Sequence, residues 1–84
     1  MSERLTISFA PAEGAVLRML GLVERRGYAV RGLTMSEKND GGLLVMDVDA
    51  RDRGRRIDVV AQQLGRLVEV QSVTLAPSES GSRA

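Results

Sequence analysis

The chain has 84 residues, 43% of them hydrophobic, with 12 Lys plus Arg against 11 Asp plus Glu, a single Phe, a single Tyr, and neither Cys nor His. That length supports one small folded unit burying about 60 to 65% of its unfolded surface, and the apolar share excludes a disordered chain. The near-neutral balance leaves no overall field to draw nucleic acid or an acidic membrane, and the missing Cys and His exclude disulfides, thiolate metal sites, a cysteine nucleophile and imidazole chemistry.

From Arg4 to Phe9 the residues alternate, with Leu5, Ile7 and Phe9 on one side and Arg4, Thr6 and Ser8 on the other, as in a half-buried strand. Pro11 and Gly14 then turn the chain into a helix from about Ala12 to Arg26. At 100° per residue Val16, Leu20 and Val23 form one stripe with Leu17 beside it, and Ala15, Met19 and Leu22 form a second. Together they span about 200°, wider than the roughly 100° a helix needs to lie on a sheet. Arg18, Glu24 and Arg25 take the remainder, Arg25 and Arg26 suit the negative end of the helix dipole, and Gly27 suits the cap.

Tyr28 to Met35 reads as the second strand, with a bulge at Gly32 because Leu33 and Met35 break parity with Tyr28 and Val30, and a bulged strand suits a sheet edge. Asp40, Gly41 and Gly42 supply hairpin turn chemistry. In the third strand, Leu43 to Ala50, Leu44, Met46, Val48 and Ala50 share one face while Leu43, Val45, Asp47 and Asp49 share the other. A basic loop over 51–56 leads into a second helix, about Arg55 to Arg66, with Ile57, Val60, Ala61, Leu64 and Leu67 in one stripe. Val70 to Ala76 is the fourth strand, with Val73 and Leu75 inward, ended by Pro77. Residues 1–76 thus form one domain, and residues 77–84 a mobile polar tail.

Strand, helix, strand, strand, helix, strand with right-handed crossovers predicts an α+β, ferredoxin-like βαββαβ fold: a four-stranded antiparallel sheet, both helices on one face, strands one and three central. The fold hosts many functions, so the site decides. RNA recognition would need sheet aromatics, and Tyr28 alone could serve. A soft-metal carrier would need a Cys pair, and a phosphatase would need an anion cradle where FAPAEG offers the acidic Glu13. A ligand-sensing or subunit-binding module remains. The N-terminal MSERLTISF lacks the apolar run of a signal peptide and nothing reaches the roughly 20 apolar residues of a membrane span. The cytoplasm is the expected compartment.

GLVERRGYAVRGLTM, Gly21 to Met35, with QLGRLVEVQSV, Gln63 to Val73, closely resembles the small regulatory subunit of acetolactate synthase (acetohydroxyacid synthase), an ACT-domain family. The length looks like the compact single-ACT-domain type, such as the isozyme II small subunit. The resemblance implies a non-catalytic subunit that binds and activates a catalytic subunit in valine, leucine and isoleucine biosynthesis. Thiamine diphosphate, Mg and FAD would belong to that catalytic subunit, with no cofactor, metal or catalytic residue on this chain. It also implies a homodimer and an amino acid effector, valine in many members, held between the turn into the first helix and the start of the second strand. Here that region is Ala12, Glu13, Gly14, Ala29 and Val30. The family's usual Asn residues are Pro11 and Ala29 in this sequence, so two amides that could hold a zwitterion are missing, and weak sensitivity or insensitivity to valine is expected. The alternative is a free-standing ACT-type amino-acid-sensing dimer.

Because a thin sheet cannot cover both stripes of the first helix, Ala15, Met19 and Leu22, with Tyr28, Arg31 and Leu33 at the strand-two edge, are expected to contact a second copy or the catalytic subunit. Arg51, Arg53, Arg55 and Arg56 are the candidate docking loop, since positive charge at a helix start opposes the helix dipole and an acidic partner would offset it.

Overall fold

The computed structural model describes residues 2–10, 12–38, 41–51 and 56–77. The elements run β1 (Ser2–Phe9), α1 (Ala15–Arg25), β2 (Tyr28–Lys38), β3 (Gly41–Ala50), α2 (Ile57–Leu64) and β4 (Val70–Pro77). The strands form one antiparallel sheet in the order β2-β3-β1-β4. This is the ferredoxin-like arrangement the element order predicts, with β1 and β3 central and β2 on an edge. Asp40, in the expected hairpin turn, and residues 78–84 of the expected tail lie outside the described residues.

Alternation dictates which sides of the central strands meet the helices. Leu5, Ile7 and Phe9 of β1 and Leu44, Met46 and Val48 of β3 are buried, as are Val60 and Leu64 of α2. In the paired register Leu5 faces Met46 and Ile7 faces Leu44, so one continuous apolar layer crosses the strands. Ala50, expected on the same face, is exposed at the strand end.

Two irregularities set the edges. In β2 the register shifts between Val30 and Gly32, which is the expected bulge, and it returns Leu33 and Met35 to the inward face opposite Met46 and Leu44. In β4 the register against β1 shifts between Ser8 and Phe9, so that Ser8 faces Ser72 and Phe9 faces Val70. Gln71 is the extra residue there. Val73 is partly buried, while Leu75, inward by register, remains 36% exposed because β4 is the other edge. Pro77 belongs to the strand rather than ending it, a position an edge strand tolerates.

Helix α1 begins three residues later than its sequence pattern predicts, after a turn closed by the Ala15 amide donating to the Ala12 carbonyl at 3.1 Å. Gly14 holds φ 76°, a left-handed conformation open to glycine without Cβ strain. Gly27 at φ 93° ends the helix, as expected. The orientation of α1 departs from the expected one. Ala15, Met19, Leu22 and Val23 are the core residues, Val16 and Leu20 are partly buried, and Leu17 is 74% exposed. The second stripe therefore packs on the sheet.

Candidate functional site

That rotation of α1 removes four residues from the expected interface. Ala15, Met19, Leu22 and Tyr28 lie in the core of the single chain, each no more than 9% exposed. None of them is available to a partner without unfolding. Burial of Tyr28 also leaves the sheet without an accessible aromatic for base stacking. Arg31 and Leu33 are exposed on β2, Arg31 pairing with Asp49 at 3.0 Å.

A long-range pair accompanies this direction of α1. Arg18 Nε donates to Glu69 Oε2 at 2.6 Å, and Glu69 is 8% exposed. The Glu69 carbonyl also accepts from the Ala10 amide at 2.7 Å. One residue thereby ties the end of β1, the first turns of α1 and the entry to β4. Arg18 reaches back over the turn, its Nη1 lying 3.3 Å from where a Cβ on Gly14 would stand.

Glu69's own amide, and then the Arg18 guanidinium, hold its carboxyl below the ordinary value of 4.5 against the opposing effect of burial. A lowered folded pKa means that this contribution to stability is complete above 4.5 and is lost as pH falls from there through the lowered value. Glu69→Gln accordingly flattens the dependence of the thermal midpoint on pH in that acid window, which melts followed by circular dichroism across the window measure. A variant with the parent's acid profile would assign the acid sensitivity elsewhere.

The five expected effector residues fall into two places. Ala12, Glu13 and Gly14 are exposed at the Phe9 end of the sheet, beside Arg18. Ala29 pairs with Asp49 and Val30 with Val48, whereas Phe9 pairs with Gly42. From Gly42 to Asp49 along β3 is about 23 Å at roughly 3.3 Å per residue. One chain does not bring the two groups together. Pro11 lies outside the described residues, and Ala29 carries no polar side chain.

Apolar surface remains along the β2 edge. Leu33 is 47% and Met35 46% exposed although both face the helix side of the sheet. Helix α1 packs beside β2 and α2 beside β4. Val16 and Leu20 are each two residues from Arg18, hence about 160° around the helix from it. With Arg18 directed to the β4 side by Glu69, the flank of Val16 and Leu20 turns toward β2, while exposed Leu17 points away from the sheet. An unpaired strand edge and an apolar helix flank thus lie side by side.

The acidic end of β3 serves cross-strand pairs. Asp47 accepts from Arg4 Nε at 2.8 Å and Nη2 at 3.2 Å. In the docking loop, Arg51 is exposed, Arg53 and Arg55 lie outside the described residues, and Arg56 is bonded to Asp58 at 2.8 Å. Asp58 stands in the first turn of α2, where an acid offsets the dipole conflict expected from the arginines. Among the described residues no cluster of three or more acidic groups could hold a metal ion, and no helix is long and apolar enough to cross a membrane.

Nothing in the local sequence pattern links Arg18 to Glu69. Glu69 sits between Val68 and Val70 in the strand entry, and an isolated acid there carries no sequence signal for a partner in a distant helix.

A family model described as an ACT domain matches residues 11–73. A probable acetolactate synthase small subunit of Methanothermobacter thermautotrophicus is 32% identical over 60 residues, 71% of this chain and 36% of the relative. The acetolactate synthase isozyme 3 small subunit of Escherichia coli is 28% identical over 74 residues, 88% of this chain and 45% of the relative. The chain therefore spans less than half the length of these curated relatives. Among solved structures, the ACT domain of GTP pyrophosphokinase from Chlorobium tepidum superposes with a TM-score of 0.75 at 10% identity, covering 90% of this chain and 97% of that one. At that identity the likeness concerns the fold alone.

Proposed function

We propose, since the chain belongs to the ACT-domain family, that it is a non-catalytic regulatory subunit that binds and activates the catalytic subunit of acetolactate synthase. The observation that carries the reading is the match of 71 to 88% of this chain to relatives named as acetolactate synthase small subunits. The process served is synthesis of the branched-chain amino acids, in the cytoplasm. Thiamine diphosphate, Mg and FAD reside on the catalytic subunit, and the present chain acts by contact.

The chain works as a homodimer through the β2 edge. Support comes from the inequality of the sheet's two edges. Each edge strand contains one register shift, but β4 also carries Pro77, a feature that discourages strand addition. Strand β2 spans Tyr28–Lys38 with half-exposed Leu33 and Met35 beside the apolar flank of α1, features that favour it. Two-fold pairing of β2 with its copy would set the start of one β2 near the end of the other, shortening the separation between the two groups of effector residues. Ala29 and Pro11 offer no side-chain amide there, so valine acts weakly or not at all.

Mixing the chain with the catalytic subunit raises the rate of acetolactate formation, and added valine leaves that gain essentially unchanged. An unaltered rate removes this reading. Ligand-dependent heat in calorimetry without any rate gain would favour a free-standing amino-acid-sensing dimer instead.

A further inference from the structure

The geometry points to Arg25, Arg26 and Arg51 as a cationic docking edge for an acidic surface on the catalytic subunit, an inference that rests on the regulatory-subunit reading above. The chain is nearly neutral, but its charges are not evenly mixed. Arg4, Arg18, Arg31 and Arg56 are engaged by Asp47, Glu69, Asp49 and Asp58. Among the described residues, no ion pair involves Arg25, Arg26 or Arg51, and all three are exposed. Glu13 and Glu37 stand at the other end of the sheet, next to the Gly14 turn and opposite Gly42 respectively, and Glu3, opposite Val48 at the near end, forms no ion pair with the three arginines. Glu24 is the neighbouring acid on α1, and it forms no ion pair with the three.

Two chain segments meet to build this edge. Arg25 and Arg26 end α1, and the Arg51 amide donates to the Gly27 carbonyl at 2.9 Å, which brings the end of β3 against the helix terminus. Arg26 Nη2 donates to Gln63 Oε1 at 2.7 Å, so its guanidinium is positioned by a neutral partner and keeps its charge. Arg25 folds back over Gly21, its Nη1 lying 3.2 Å from where a Cβ would stand there. The helix dipole favours cations at positions 25 and 26, but it gives no account of Arg51. Arg56, grouped with Arg51 by sequence, is instead engaged by Asp58.

Unpaired exposed charges at an interface rim act chiefly on the association rate and its salt dependence. With the immobilised catalytic subunit, the parent chain therefore associates more slowly at about 300 mM salt than at about 50 mM, as screening shortens to below 10 Å. Arg25→Glu, Arg26→Glu and Arg51→Glu combined lower the association rate constant about tenfold or more at low salt and flatten its salt dependence, with the dissociation rate little changed. Arg56→Glu has a much smaller effect. The triple glutamine variant, which makes smaller demands on folding, gives the same direction of change, and circular dichroism melts accompany each variant. A triple variant that is folded and associates at the parent rate overturns the docking edge while leaving the regulatory reading intact. A parent chain that fails to bind the catalytic subunit overturns both.

Discussion

Met19→Glu lowers the thermal midpoint of the chain by about 20 °C or more, and Leu17→Glu leaves it within a few degrees. The two residues are two positions apart and so about 160° around the helix, and Met19 is 0% and Leu17 74% exposed. A glutamate at 19 either buries a carboxylate without a partner or protonates it and abandons the packing with the sheet. The loss is about 3 to 5 kcal/mol, set against about 4 to 12 kcal/mol for a chain of this size. At position 17 water already solvates the side chain, so a charge displaces nothing. Melts followed by circular dichroism decide the matter. A parent-like melt for Met19→Glu would mean that α1 packs through its other stripe.

Leu33→Glu together with Met35→Glu halves the mass of the chain in solution, from twice 9.1 kDa to 9.1 kDa, with the circular dichroism spectrum retained. Both side chains are about half exposed, so the single chain accepts glutamate at each. Across a two-fold axis each substitution is made twice and brings like charges together. Losing about 1 kcal/mol of apolar burial at each copy of each position weakens association on the order of a thousandfold. Sedimentation or light scattering reads the change. A variant that keeps the parent's dimeric mass removes the β2 edge from the interface, and a parent that is already monomeric does the same.

The strands were legible because period-two alternation has only two solutions, and a single buried face selects between them. In β3, the run from Leu44 to Val48 fixes the facing unaided, and parity alone places the bulge near Gly32. Helix α1 is different. Its apolar arc is so wide that Ala15, Met19 and Leu22 and the stripe of Val16 and Leu20 serve equally well as a core face. The choice is made by packing in the whole fold, and it goes with a contact of Arg18 to Glu69, 51 residues away. No local pattern contains that distance. The same limit hid the extra residue at Gln71, since the alternation of Val73 and Leu75 is undisturbed and only pairing with β1 shows the shift. As for the candidate site, the expected effector residues rest on resemblance alone, and their separation to opposite ends of the sheet follows from register.

Pro77 in β4 has a bearing on how far assembly can go. A flat sheet with two equivalent open margins is a template for unlimited polymer growth. Here both margins contain a bulge, and the margin opposite β2 also carries Pro77, which has no amide to donate. In the proposed dimer, joining β2 to its own copy would use up that margin on each copy and leave β4 as both outer margins of the doubled sheet. Such pairing would be self-terminating, closing at two copies where a sheet with two open margins could grow into a fibre.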